Sequence, residues 1–182
     1  MSNKIIMMTI LALVTLNAGA QQYFTKTGII KFYSHTSLED IKAENRKVVS
    51  ILDSKTGALE FSLLMKGFDF PNDLMEQHFN ESYAESSKYP KAVFKGKVTN
   101  ISTVDFTKDG AYTVNYSGKL TIKDVTKNIS GIATITIKGG KVSSTSKLKI
   151  KPVDYNFKIP GAVSGKIAEE IDVDILLVYT KK

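Results

Sequence analysis

Apolar and polar residues alternate along most of the chain after residue 20. This period of two places successive side chains on opposite faces of a strand, and it is typical of a sheet with one buried face. The clearest example is the run 58–66, where every second residue from Leu59 to Met65 is apolar. The alternation predicts eight strands, over residues 24–35, 47–52, 58–66, 92–99, 112–122, 128–138, 141–151 and 167–179.

Short turn signals separate most of these predicted strands. Asp and Gly fall between the second and third strands in 53–57, an Asp-Gly pair stands at 109–110, and a Gly-Gly pair stands at 139–140. Strands joined by short turns favour an antiparallel sandwich or barrel, and closure into a barrel removes exposed edges. The sequence therefore predicts an all-β fold, an eight-stranded antiparallel lipocalin-like barrel formed by one domain over residues 21–182. A barrel of this size is just wide enough to hold one small ligand.

The alternation is interrupted once, between the third and fourth predicted strands. Pro71 suits the first turn of a helix, and Pro90 prevents a helix from continuing. Between them, four residues recur at the i, i+3, i+4 spacing of an amphipathic helix: Leu74, Met75, His78 and Phe79. This segment is predicted to be a short helix that caps the barrel.

The N-terminus has the pattern of a secretory signal peptide. Lys4 precedes a short apolar run over 5–16, and Ala18 and Ala20 form a small-residue cleavage site. Residues 1–20 are therefore predicted to be a cleavable signal peptide that directs the chain to the periplasm, with an uncleaved anchor as the alternative. The apolar run is shorter than the roughly 20 residues of a comfortable membrane span.

Composition narrows the chemistry further. The chain has no Cys, which excludes disulfides, thiol nucleophiles and thiolate metal sites. The net charge of +7 has two interpretations: lysines on solvated strand faces, or attraction to anionic lipid headgroups and phosphates. No basic cluster or nucleic-acid-binding motif occurs, so nucleic acid is not expected as a partner. A transient contact with a membrane surface and a homodimer stay open.

Catalytic signals are sparse. His35 and His78 are the only histidines, and neither belongs to an H-E-x-x-H motif. The sequence also lacks a G-x-S-x-G motif and a P-loop. We therefore expect a protein without catalysis, metal or cofactor. The alternative is a small secreted hydrolase or isomerase that acts on a hydrophobic substrate through His78, which needs a carboxylate or hydroxyl within hydrogen-bond reach.

The aromatic residues suggest what the barrel contains. There are nine Phe, eight Tyr and no Trp, and many fall at inward-facing strand positions or beside the helix. Ordinary core packing explains each one singly, and a barrel filled in this way would serve as an interaction module. A capped barrel can instead leave a cavity. The candidates for its lining are Phe32, Phe61, Leu63, Met65, Leu74, Met75, His78, Phe79, Phe94, Tyr112 and Tyr116.

Three motifs resemble those of a known family. His78-Phe79-Asn80 is followed by a K-Y-P-K-A-V-F run over 88–94, a G-K-L-T-I run over 118–122 is followed by V-T-K, and D-Y-N-F occupies 154–157. In this order they resemble the YceI-like family of exported bacterial proteins that bind polyisoprenoid lipids. Asp124 and Asn156 stand where that family has glycine, and both residue types tolerate left-handed backbone.

The resemblance implies a barrel that holds one isoprenoid chain, such as that of a polyisoprenoid quinone or a polyprenyl phosphate. The expected function is binding, transport or sequestration of this lipid in the periplasm. In this arrangement Leu74, Met75 and Phe79 would face the lipid tail. Asn72, Glu76 and Glu81 would face water.

Overall fold

The computed structural model describes residues 21–182, and the predicted signal peptide lies outside them. The described chain is a closed, eight-stranded antiparallel β-barrel with one short α-helix, which confirms the predicted fold. The strands are β1 (Gln22–His35), β2 (Asp40–Asp53), β3 (Ala58–Leu64), β4 (Lys91–Val98), β5 (Gly110–Ile122), β6 (Val125–Lys138), β7 (Lys141–Ile150) and β8 (Ile171–Lys181). The helix is α1 (Asp73–His78).

Each strand pairs with the next along the chain, and β8 pairs with β1 to close the barrel. Closure leaves no strand of the sheet with an unpaired edge. Two of the connections are tight hairpin turns with positive φ at both central residues, as a type I′ turn requires. Gly139 and Gly140 form one, and Lys123 and Asp124 form the other. Asp124 has φ +62° and Asn156 has φ +57°, so both adopt the left-handed backbone expected from the sequence.

Strand β2 begins earlier than the alternation predicts, at Asp40 instead of residue 47. The reason is Asn45, a polar residue that is fully buried at an inward position. Its Nδ2 donates to the Leu64 carbonyl at 2.9 Å, and its Oδ1 accepts from the Lys47 N–H at 2.9 Å. Because both polar ends are satisfied, the strand tolerates Asn45 inside the barrel. The last strand shows the opposite error, since it begins at Ile171 rather than at residue 167.

The insertion between β3 and β4 crosses one end of the barrel. A 3₁₀ turn (Met65–Gly67) follows β3, and α1 continues into a π-helical turn (Phe79–Tyr83). Asn72 caps α1, because its side chain accepts a hydrogen bond from the Met75 N–H at 3.1 Å. The backbones of Glu44 and Asp69 also exchange two hydrogen bonds, of 2.8 and 3.1 Å, which fasten the insertion to β2.

The two ends of the barrel differ in packing. At the end of the barrel where β8 finishes, the Tyr23 ring stacks on the Phe106 ring with centroids 5.1 Å apart. Inward side chains fill this half, including Val48, Leu52, Val114 and Ile135, each at most 1% exposed. The other half lies under the insertion and contains the cavity described below. Among residues 21–182, no helix has the length and apolar character needed to cross a membrane.

Candidate functional site

A cavity of about 470 Å³ lies inside the barrel beneath α1. Its volume falls in the range of about 300–1,000 Å³ that is typical of small-molecule sites. The walls are inward-facing residues of the strands, and the roof is the insertion that contains α1. Since most lining side chains are apolar, the interior offers few hydrogen-bond partners and suits an apolar ligand.

Four phenylalanines join the roof to the barrel wall. Phe32 from β1 contacts Phe68, Phe70 and Phe79 at centroid distances of 5.3, 5.7 and 5.8 Å. Phe70 and Phe79 are 5.1 Å apart, and Phe68 and Phe79 are 5.7 Å apart in an edge-on arrangement. Such edge-on and tilted ring pairs stabilise the fold by more than the burial of their apolar area alone would. We name these four residues the phenylalanine cluster; all of them line the cavity.

Eight of the eleven residues proposed from sequence line this cavity. They are Phe32, Phe61, Leu63, Met65, Leu74, Met75, His78 and Phe79. The other three lie elsewhere. Phe94 is fully buried one layer deeper and meets Tyr116 edge-on at 5.9 Å. Tyr112 lies near the opposite end, where its hydroxyl donates to the Asp105 carbonyl at 3.2 Å.

Sequence reasoning missed much of the lining. On the strands, the additional residues include Ile30, Ile41, Leu120, Ile122, Ile129, Leu148, Ile150, Val173 and Ile175. Their signal was the inward phase of the alternation, which marks them as buried but does not separate a cavity wall from a packed core. Four more come from the segment between β7 and β8: Phe157, Ile159, Val163 and Ile167. Apolar residues in this segment were the available signal.

Several polar lining residues are exposed to solvent and mark where the cavity opens. Glu39 from the β1–β2 loop and Lys166 from the β7–β8 connection lie 3.4 Å apart, and both line the cavity. Ser34, near the end of β1, accepts a hydrogen bond from the Ala168 N–H at 2.8 Å, so the β7–β8 connection is fastened both to β1 and to the β1–β2 loop. Asn72, which was expected to face water, is exposed and also lines this opening. We call this opening the mouth.

His78 lies at the mouth, exposed to solvent on one side and lining the cavity on the other. Within residues 21–182, its imidazole has no side-chain hydrogen bond or ion pair. The same part of the chain contains no cluster of three His, Cys, Asp or Glu residues arranged to hold a metal ion.

A buried lysine fastens the C-terminal end of the roof. Lys123 Nζ lies 2.6 Å from Glu85 Oε2 and donates to the Tyr83 carbonyl at 2.7 Å. The Tyr89 and Phe157 rings lie 5.6 and 5.3 Å from it, within cation–π range. The hydrogen bond from Lys123 lowers the pKa of the Glu85 carboxyl below its usual value. The roof is therefore tied to the β5–β6 turn as well as to the phenylalanine cluster.

Comparison with solved structures shows the same fold in three bacterial proteins. A polyisoprenoid binding domain from Saccharophagus degradans, implicated in plant cell wall breakdown, superposes with a TM-score of 0.77 at 14% identity and covers 90% of this chain and 99% of its own. Burkholderia cenocepacia BcnA gives 0.69 at 19% identity, over 84% and 96%. Campylobacter jejuni YCEI protein gives 0.59 at 19% identity, over 81% and 88%.

Among curated proteins, no sequence matches this chain. The family comparison is decisive, because the YceI-like domain matches residues 20–179, which is nearly the whole of the described barrel. The motif at 78–80 and 88–94 that suggested this family forms the end of α1 and the entry into β4. The chain belongs to the YceI-like family.

Proposed function

We propose that this protein binds an isoprenoid-type lipid, such as a polyisoprenoid quinone or a polyprenyl phosphate, in the barrel cavity and does not act on it chemically. The observation that carries the proposal is the apolar cavity of about 470 Å³, whose two charged side chains besides His78, Glu39 and Lys166, lie 3.4 Å apart on its solvent-facing side. This arrangement suits a ligand with a long apolar tail and a polar headgroup. The polyisoprenoid binding domain of Saccharophagus degradans, which has the same fold, supports the isoprenoid class.

The energetics of such a ligand are favourable. Each methylene removed from water contributes about 0.8 kcal/mol. Immobilising the ligand costs on the order of 4–15 kcal/mol, so burial of part of a tail is sufficient for net binding. The polar groups at the mouth, Glu39, Asn72, His78 and Lys166, would contact the headgroup rather than the tail.

We further propose that the protein works in the periplasm, where it carries or sequesters the lipid. The signal-peptide pattern of residues 1–20 supports export. Transfer of a lipid requires brief contact with a membrane surface, and two side chains beside the mouth suit that contact. Leu74 is 58% exposed at the mouth, and Leu38 is 70% exposed against the segment that carries Lys166.

The test is native mass spectrometry of the protein secreted into the periplasm and purified without detergent. The protein is expected to begin at Gln21 and to carry one lipid, which is released on denaturation and identified by its fragments. Delipidated protein is then mixed with farnesyl phosphate, and the molecular mass of the recovered ligand is measured. Binding with recovery of unchanged ligand is the expected result. Failure to bind any isoprenoid contradicts the proposal, and recovery of a converted product favours an enzyme acting through His78.

A further inference from the structure

Two aromatic rings form the floor of the cavity. Phe61, which lines the cavity, stacks on Phe94 at a centroid distance of 5.1 Å, and Phe94 meets Tyr116 edge-on at 5.9 Å. Phe94 is fully buried and Tyr116 is 7% exposed, and neither lines the cavity. On β4 the next inward residue toward the roof is Ala92, and on β5 the inward residues beyond Gly118 are Leu120 and Ile122. All three of these side chains line the cavity. The cavity therefore ends against these two rings.

Glycines at inward positions make room for these rings. A Cβ atom on Gly96 or Gly118 would lie 2.7 Å from Cζ of Phe94, and one on Gly131 would lie 2.5 Å from the hydroxyl of Tyr116. These separations are shorter than any normal contact of a Cβ atom, so a side chain at these positions would displace the rings. Because three strands lack a side chain at this level, Phe94 and Tyr116 can lie across the barrel.

Inward side chains occupy the barrel below the floor. Leu52, Val114 and Ile135 are each at most 1% exposed and fill the barrel beneath the two rings. The Tyr179 hydroxyl lies 3.1 Å from the Ser50 hydroxyl, and burial raises the pKa of Tyr179. The lower half is thus a packed core with satisfied polar groups rather than a continuation of the cavity.

The strand geometry limits the depth above the floor. On β8 the lining residues run from Ile171 to Ile175, which corresponds to roughly 13 Å of strand. With strands tilted by about 40° to the barrel axis, this is a depth of roughly 10 Å. The roof adds length above the strands, but the total remains well short of an extended polyisoprenoid chain.

We propose that Phe94 and Tyr116 set the length of the tail that the protein encloses, so that it selects prenyl lipids with a short chain. This inference rests on the proposed function. A short tail is fully buried when its end reaches the floor. A longer tail leaves its remaining units at the mouth, in water, and gains nothing from them.

The test uses delipidated full mature protein and a series of prenyl phosphates with one headgroup and increasing chain length: geranyl, farnesyl, geranylgeranyl and solanesyl phosphate. Affinities are measured by native mass spectrometry below the concentrations at which these lipids form micelles. Affinity is expected to rise by about tenfold or more with each added unit that is buried, and then to level off. An affinity that keeps rising to solanesyl phosphate overturns the floor but leaves the proposed function intact. No binding by any member overturns both.

Variants then move the floor in opposite directions. Phe94→Leu lowers the floor and is expected to shift the plateau to a longer chain, whereas Leu120→Phe adds a ring to the cavity wall directly opposite Phe94 and is expected to shift the plateau to a shorter one. Phe106→Leu, at the far end against Tyr23, is the control and should leave the plateau unchanged. If Phe94→Leu does not fold, the proposal is tested by Leu120→Phe and by the chain-length series on the unmodified protein. A plateau that Leu120→Phe does not move overturns the proposal.

Discussion

At the scale of single residues, Lys123 is the only charged residue buried in the part of the chain from 21 to 182. Its side chain is 3% exposed, whereas that of its partner Glu85 is 41% exposed. Lys123→Met removes the buried charge together with its desolvation cost; the Tyr83 carbonyl loses this donor, and the partly exposed Glu85 carboxylate turns to water instead. We expect it to lower the free energy of unfolding by at most about 2 kcal/mol, measured by urea denaturation.

Glu85→Gln is the informative partner variant. It keeps the shape of the side chain but leaves the Lys123 ammonium buried without a counter-charge, and an uncompensated buried charge is strongly destabilising. We therefore expect Glu85→Gln to destabilise the protein more than Lys123→Met does. Equal losses, or the reverse order, would mean that the ion pair is not effectively buried.

A second residue-scale prediction concerns Asp105, in the turn before β5. Thr107 Oγ1 donates to Asp105 Oδ1 at 2.6 Å and Lys108 Nζ lies 3.0 Å from Oδ2. These contacts, the Thr107 hydrogen bond first, lower the pKa of Asp105 from 3.8 to about 2. Because the folded-state pKa is depressed, ionised Asp105 stabilises the fold above about pH 4, and this stabilisation is lost as the pH falls from about 4 to about 2.

The measurement is the free energy of unfolding against pH for the unmodified protein and for Asp105→Asn. The difference between the two proteins should be constant above about pH 4 and should shrink below it. Thr107→Val removes the strongest of the contacts but keeps the carboxylate. In this variant the pKa of Asp105 should move back toward its ordinary value. The stability that ionised Asp105 provides should then be lost over a narrower pH range. A difference that does not change between about pH 4 and 2 would contradict the depressed pKa.

At the scale of elements, the hydrophobic pattern predicted the eight strands and the one α-helix of residues 21–182, because alternation and helical spacing are local signals. It failed where an inward position is polar. Asn45 interrupts the alternation of β2. It can be buried at an inward position only because it donates to the Leu64 carbonyl, which is 19 residues away in sequence. The pattern of α1 was found, but its continuation as a π-helical turn over Phe79–Tyr83 was not, since the backbone hydrogen bond from Ala84 to Phe79 has no counterpart in side-chain spacing.

The cap of α1 gives the prediction at this scale. A helix of six residues is too short to be stable alone, so its start depends on the Asn72 side chain and its contacts with the barrel. Asn72→Ala should lower the free energy of unfolding by about 1 kcal/mol and speed hydrogen exchange at the Met75 amide. Asn72→Asp keeps an acceptor at the helix N-terminus and should preserve both. If Asn72→Ala leaves the exchange rate of Met75 unchanged, the cap does not hold the helix.

At the scale of the whole molecule, the sequence did not distinguish a hollow barrel from a filled one. Inward side chains alternate in the same way in both halves, so Phe61 and Phe94 looked alike although one lines the cavity and the other closes it. The difference arises from which glycines face which rings across the sheet. Gly118 and Gly131 come beside Phe94 and Tyr116 only through the pairing of β4, β5 and β6. That register is a property of the closed sheet and not of any one segment.

A cavity kept open in this way has a cost in stability, because its lining lacks packing partners. Val173→Phe places a ring inside the cavity from β8, whereas Val178→Phe makes the same change on the outer face of that strand, where Val178 is 52% exposed. We expect Val173→Phe to equal or exceed the unmodified protein in thermal stability without ligand, since it fills apolar space. It should also lose the rise in melting temperature that farnesyl phosphate produces, which for ligand at about 100 times its Kd corresponds to about 2.7 kcal/mol. Val178→Phe should keep that rise. If both variants respond to farnesyl phosphate as the unmodified protein does, the lipid binds somewhere other than the barrel cavity.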